Sequence, residues 1–121
     1  MSNLSNNREL AEERNVLVMD DEDKFCDLIK RFLTKTRCFT SIVTAENGMV
    51  GWQKMNNQSF SLVIMDQVMP VRNGLDVITR MRSDSKFQNI EIILMSGHLQ
   101  ETDVIRAMNL GIKHILAKPF T

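Results

Sequence analysis

Five polar residues stand where short apolar segments of the chain end abruptly. They are Asp20, Asp21, Asp66, Ser96 and Lys118. Three carboxylates held together repel one another, and a hard divalent cation such as Mg²⁺, which binds carboxylate and carbonyl oxygens, removes that repulsion. A lysine ammonium and a small hydroxyl beside the cation suit the oxygens of a phosphoryl group. If the fold brings these five residues together, their types predict a site for phosphoryl transfer.

The segments that must position these residues alternate between strands and helices. Short apolar runs predict five strands, at Val16–Met19, Ser41–Ala45, Leu62–Met65, Ile92–Met95 and Ile112–Ala117. Apolar residues at helical spacing predict core-facing helices between them, around Phe25–Leu33, Met49–Met55, Leu75–Met81 and Val104–Met108. Strands that are apolar throughout and alternate with helices are typical of a parallel sheet covered on both faces.

Asp66 is the candidate nucleophile of this predicted site. Right-handed crossovers place the carboxyl ends of all parallel strands at one edge of the sheet, which is where ligands bind. The five polar residues therefore converge on that edge, and Asp66 follows the central strand with the other groups on either side. An aspartate in that position can attack phosphorus and form an acyl phosphate.

Four motifs follow one another along the chain: VLVMDDE, LVIMDQVMP followed by NGL, ILMSGH, and LAKPF. In this order and at this spacing they resemble the receiver domain of bacterial two-component response regulators, the CheY-like family. The resemblance covers Asn15 to Thr121 and implies a flavodoxin-like doubly wound α/β fold, with five parallel strands in the order 2-1-3-4-5. We therefore predict a receiver domain at residues 15–121, preceded by a flexible leader at 1–14 that is rich in Asn, Glu and Arg.

The resemblance implies a role for each reacting residue. Asp66 matches the aspartate that is phosphorylated, and Lys118 matches the lysine that contacts the phosphoryl group. Ser96 matches the switch hydroxyl, which moves toward that group. A cis peptide bond is expected before Pro119.

The resemblance also implies a Mg²⁺ site. Asp21 matches the acid that binds the metal directly, and Asp20 matches its neighbour, which acts largely through water. Asp66 and the backbone carbonyl of Val68 complete the expected ligand set.

By the same resemblance the domain works as a relay. A histidine kinase, or a phosphotransfer protein, presents a phosphohistidine, and Asp66 takes its phosphoryl group with Mg²⁺ bound. The added charge draws Ser96 inward and shifts a surface of the fourth helix and fifth strand, which binds or releases a downstream protein. Water later removes the phosphoryl group, and Val68 and His98 are placed to influence its lifetime. Such a domain is a signalling module and not a conventional enzyme, since it catalyses only its own phosphorylation and dephosphorylation.

The sequence departs from the family in two places. Ile115 stands where the family commonly has an aromatic residue coupled to the switch hydroxyl, so we expect the output to rely on loop and helix shifts. The chain ends at Thr121, where the family has a fifth helix, and we expect that helix to be missing through truncation. Without it one sheet face would be partly uncovered, and a homodimer or the leader are the other ways to cover it.

Two other functions use parts of the same pattern. A receiver-like docking scaffold that does not signal by phosphorylation would be expected to lack an acid or the lysine, and all are present. A phosphatase of the haloacid dehalogenase type would have its nucleophile after the first strand and a second Asp two residues later. Asp21 and Asp23 imitate that pattern weakly, but it leaves Asp66 without a role, and we interpret Glu22 and Asp23 as charges at a helix start.

Composition excludes several broader classes. The chain has 121 residues, 43% of them hydrophobic, with 15 basic and 15 acidic residues, which fits one globular domain that does not contact nucleic acid directly. No apolar run is long enough to span a membrane, and the polar N-terminus lacks the apolar core of a signal peptide, so we predict a cytoplasmic protein. Cys26 and Cys38 lack metal-ligand spacing and are expected to be ordinary thiols. No GxGxxG motif follows the first strand, which leaves a dinucleotide-binding domain unsupported.

Overall fold

Strands and helices alternate along the whole described part of the chain. The structure is a computed structural model that describes residues 14–98 and 100–118. The strands are β1 (Asn15–Met19), β2 (Ser41–Ala45), β3 (Leu62–Asp66), β4 (Glu91–Ser96) and β5 (His114–Ala117). The helices are α1 (Asp23–Thr36), α2 (Gly48–Asn57), α3 (Gly74–Arg82) and α4 (Glu101–Asn109).

The five strands form one parallel sheet in the order β2-β1-β3-β4-β5, which confirms the predicted fold. The register aligns the carboxyl ends of neighbouring strands. Met19 pairs with Met65, and Asp66 pairs with Met95. Ser96 pairs with Ala117, the residue before Lys118. Residues that end different strands therefore lie along one edge of the sheet.

Side chains alternate between the two faces of the sheet and build two cores. The larger core lies under α2, α3 and α4 and includes Leu17, Met65, Leu75, Ile78, Leu94 and Ala107. The smaller core, which we call the α1 core, consists of Val16, Val18, Cys26, Ile29, Ile64 and Met95.

The predicted fifth strand begins too early. Ile112 is buried and its N–H donates to the Ala107 carbonyl at 3.0 Å, so it belongs to the turn that ends α4. The strand itself starts at His114. An apolar residue can be buried at a helix end as well as in a strand. The apolar run alone therefore could not locate the start of β5. The expected cis bond before Pro119 lies outside the described residues.

The face of α1 that was predicted to be core-facing is only partly covered. On α1, Cys26 and Ile29 are buried, but Leu28 is 49% and Phe32 is 69% exposed. With Leu116 of β5, Leu28 and Phe32 border an apolar groove on the α1 side of the sheet. A periodic pattern identifies the apolar side of a helix, but it does not say whether another element packs there.

Two asparagines cap the first turns of helices. The Asn47 side chain accepts a hydrogen bond from Val50 N at 2.8 Å, and the Asn73 side chain accepts one from Asp76 N at 2.9 Å. Both satisfy backbone donors in the first turn of a helix. No helix in the described part of the chain is both long and apolar enough to cross a membrane.

Candidate functional site

Lys118 lies at the centre of a cluster of carboxylates at the carboxyl edge of the sheet. Its Nζ donates to Asp20 Oδ2 at 2.9 Å, to Asp66 Oδ2 at 3.0 Å and to Glu22 Oε1 at 3.3 Å. The Lys118 side chain is only 10% exposed, and those of Asp20 and Asp66 are buried. One ammonium group therefore serves three acids from two strand ends.

Asp20 is the most deeply placed of the acids. Its backbone N–H donates to the Ala45 carbonyl of β2 at 3.0 Å, which continues the β1–β2 pairing past the end of the strand. Its Oδ1 accepts from Glu22 N at 2.9 Å, and Cys26 Sγ donates to its carbonyl at 3.4 Å. These contacts hold Asp20 in one position beneath Lys118.

Asp66 ends the central strand, and its two carboxylate oxygens have different partners. Oδ2 accepts from Lys118, while Oδ1 accepts from Val68 N at 3.4 Å. Burial raises the pKa of Asp66 above its ordinary value, opposed by the hydrogen bond from Lys118 and assisted by the negative charge of Asp20. Burial lowers the pKa of Lys118, but hydrogen bonds to Asp20 and Asp66 outweigh it and hold that pKa above its ordinary value. Lys118 is therefore a cation at neutral pH.

The oxygen atoms of four acids form a group suited to a divalent cation. One carboxylate oxygen from each of Asp20, Asp21, Glu22 and Asp66 lies within 4.8 Å of the others. Such an all-oxygen set, with Asp21 and Glu22 open to solvent, fits Mg²⁺, which keeps several of its waters. The sequence predicts Glu22 only as a charge at the helix start and not as a site residue. Its place directly after the Asp pair was the available signal.

Ser96 ends β4 and is buried. Its hydroxyl accepts from His98 N at 3.1 Å, and its carbonyl accepts from Lys118 N at 2.8 Å. The backbone of Ser96 thus positions Lys118, while its hydroxyl orders the loop that leads toward α4. Ile115, where an aromatic was expected from the family, packs half-buried against the larger core.

The loop from β3 to α3 is held against the phosphoryl-acceptor candidate. Gln67 is buried, and its Oε1 accepts from Leu75 N at 2.8 Å. Gly74 approaches so closely that a Cβ there would lie 2.7 Å from the Asp66 carbonyl oxygen. Val71 has φ of 72°, and Arg72 N donates to the Pro70 carbonyl at 2.8 Å, which describes a γ-turn.

An open pocket of about 510 Å³ leads from solvent to Asp66. Its walls come from the segments that follow β1, β3, β4 and β5 and from the start of α1. The lining residues are Asp21, Glu22, Phe25, Asp66, Val68, Gly97, His98 and Lys118. Lys118 Nζ lies 4.3 Å from the centroid of the Phe25 ring. Phe25 was predicted only as a core-facing residue, because helical spacing alone cannot show that its ring borders the site.

Comparisons with known proteins show which sequences and structures this chain is similar to. A family model described as the response regulator receiver domain matches residues 16–121. The chain is 35% identical over 107 residues to the chemotaxis protein CheY1 of Helicobacter pylori, covering 88% of this chain and 86% of that protein. It is 33% identical over 108 residues to transcription factor SKN7 of Candida albicans, covering 88% of this chain but 18% of that protein. A response regulator receiver protein from Pseudomonas putida has a similar structure, with a TM-score of 0.83 and 25% identity, covering 90% of this chain and 88% of that one.

Proposed function

Since the chain belongs to the response regulator receiver domain family, whose members are signalling domains, we propose that Asp66 accepts a phosphoryl group from a histidine kinase or a phosphotransfer protein. We propose that the receiver domain spans residues 15–121. The observation that carries it is the position of Asp66, which is buried at the base of an open pocket and shares the Lys118 ammonium with Asp20.

The chemical step is a displacement at phosphorus by the Asp66 carboxylate. A carboxylate oxygen forms the new P–O bond while the P–N bond to the donor histidine breaks and its electron pair returns to the imidazole. The product is an acyl phosphate. The hydrogen bond from Val68 N to Oδ1 orients the carboxylate, and Lys118 provides positive charge beside the oxygen atoms of the transferred group.

The acid cluster would hold Mg²⁺ for this step. Asp20, Asp21, Asp66 and the backbone carbonyl of Val68 are the proposed ligands, and Glu22 lies within the same group of oxygens. When bound, the ion neutralises charge on the phosphoryl oxygens and on the crowded carboxylates. The protein's own residues already hold the Asp66 carboxylate and the Lys118 ammonium in position.

The output follows from the connection between Ser96 and the loop before α4. When the phosphoryl group draws the Ser96 hydroxyl inward, His98 N loses its present acceptor and the loop must rearrange. On α4, Ile105 is 52% and Met108 is 65% exposed, which suits a surface for an unidentified downstream protein. Because Ile115 cannot act as an aromatic reporter, shifts of the loop and of α4 transmit the signal.

Two residues at the mouth of the pocket are placed to control the lifetime of the acyl phosphate. Val68 is exposed, and both Val68 and His98 line the pocket that leads to Asp66. Water that enters this pocket passes close to them, so their size and polarity influence hydrolysis. We place this relay in the cytoplasm, as a monomer or a homodimer, without direct contact with nucleic acid or membrane.

Intact mass measured after incubation with Mg²⁺ and acetyl phosphate tests the proposal. We expect one phosphoryl adduct on the parent, none with EDTA and none on Asp66→Asn. Asp27→Asn, which changes an exposed carboxylate on α1, is the matched control and should carry the adduct. A folded parent that binds Mg²⁺ but takes no phosphoryl group would refute the relay and favour the docking scaffold.

A further inference from the structure

We propose that Phe25 is a positioning residue for Lys118, and that its ring face keeps the ammonium beside Asp66 during phosphoryl transfer. The inference rests on the proposed function, and it adds a residue and a physical contact to it. Lys118 Nζ lies 4.3 Å from the Phe25 ring centroid, within the range in which a cation is attracted to the ring face. The Lys118 side chain is mostly buried, which strengthens that attraction because little water competes.

The Phe25 ring is uncharged, whereas the other partners of Lys118 are carboxylates. An ammonium has three N–H donors, and three carboxylates accept them here, from Asp20, Glu22 and Asp66. Each of these acids has another use in the proposed reaction. Asp66 forms a bond to phosphorus, and the oxygens of Asp20 and Glu22 belong to the group that suits a divalent cation.

When those oxygens are engaged elsewhere, the ammonium loses the anions that now hold it. The attraction of the Phe25 ring is unaffected by that change, since the ring carries no net charge and neither titrates nor binds the metal. Phe25 therefore keeps Lys118 at the pocket wall through the cycle, where it can move from Asp66 to the phosphoryl oxygens without a large displacement.

The position of the ring is itself fixed by the fold. Phe25 packs against the α1 core, and its backbone N–H donates to the Glu22 carbonyl at 3.1 Å in the first turn of α1. The next residue, Cys26, is buried under Asp20. The ring is thus tied both to the sheet and to the segment that carries the acids.

Two substitutions separate the ring face from simple packing. Phe25→Leu keeps an apolar side chain of similar reach but removes the ring, and Phe25→Trp keeps an aromatic face. Phe32→Leu removes an exposed ring from the same helix and is the matched control. Phosphoryl uptake from acetyl phosphate and loss of the adduct after donor removal are measured for each. The NMR shift of the Lys118 Hε protons, which a ring face moves upfield, is measured without phosphodonor.

We expect Phe25→Leu to lose the upfield shift and to take up the phosphoryl group about threefold to tenfold more slowly, while Phe25→Trp and Phe32→Leu stay near the parent. Equal slowing in Phe25→Leu and Phe25→Trp would overturn the proposal, because only packing would then matter. Parental rates and shifts in Phe25→Leu would also overturn it. If the parent itself takes no phosphoryl group, the proposed function fails. The NMR comparison then decides the contact alone, and an unchanged shift in Phe25→Leu refutes it.

Discussion

Lys118 Nζ lies 2.9 Å from Asp20 Oδ2, although β1 and the strand that precedes Lys118 are not neighbours in the sheet. Two strands, β3 and β4, lie between them, and the lysine side chain crosses both strand ends to reach the acid. It also contacts Asp66 of β3 on the way. This one side chain closes the carboxyl edge of the sheet and gives the crowded acids a shared counter-charge.

Removal of the Lys118 charge should destabilise the protein in a pH-dependent way. Lys118→Met keeps most of the side-chain volume but leaves the acids without a cation, so we expect about 3 kcal/mol less free energy of unfolding at pH 7 in EDTA. The deficit should narrow as the acids become protonated at low pH, and also when Mg²⁺ is added. Chemical denaturation measures it, with Lys113→Met at an exposed position as the control. A deficit that neither pH nor Mg²⁺ changes would point to lost packing instead.

The raised pKa of Asp66 predicts that removal of its charge stabilises the protein, whereas removal of the Lys118 charge destabilises it. The folded protein holds the Asp66 proton more tightly than the unfolded chain, so ionisation lowers stability as the pH rises through the folded pKa. Asp66→Asn cannot ionise, and we expect its melting temperature to gain on the parent above that pH. The gain should vanish below the ordinary value of 3.8. Thermal unfolding in EDTA across this range checks it, and a pH-independent difference would contradict it.

Gly74 should tolerate no side chain. A Cβ there would lie 2.7 Å from the Asp66 carbonyl oxygen and 3.0 Å from Leu94 Cδ1, and the first of these is backbone that cannot turn away. We expect Gly74→Ala to cost about 2 kcal/mol of unfolding free energy and to slow phosphoryl uptake by displacing Asp66. Gly97→Ala, whose Cβ would be 3.9 Å from the nearest atom, serves as the stability control. Parental stability of Gly74→Ala would show that the loop yields easily.

Val71 should be a site where substitution stabilises the protein. Its φ of 72° is costly for a β-branched residue, and the residue is 72% exposed, so little packing is lost on replacement. Asparagine adopts positive φ more readily, and we expect Val71→Asn to add about 1 kcal/mol to the free energy of unfolding. Denaturant titration provides the measurement. Val71→Ala keeps a Cβ at the same φ and should gain less, and an equal gain in both variants would exclude backbone strain as the cause.

Strands and site residues at strand ends could be predicted because their signals are local. The apolar runs before Asp66 and Ser96 mark buried strands, and parallel topology places their ends on one edge whatever the side-chain details. The start of β5 was misplaced because the burial of Ile112 suits a helix end as well as a strand. The exposure of Leu28 and Phe32 was not predicted either, since helical spacing records the apolar face and not its cover.

The sequence by itself determined the fold class and the chemical types gathered at the sheet edge, because periodicity and residue type are properties of short segments. Only the tertiary structure decided which atoms meet. Lys118 Nζ donates hydrogen bonds to Asp20, Asp66 and Glu22, and the Phe25 ring lies against the same ammonium. Those contacts depend on strand order, on register and on the reach of one side chain across the ends of the two strands that separate β5 from β1. Such distances arise from packing between segments far apart in the chain, and no local pattern encodes them.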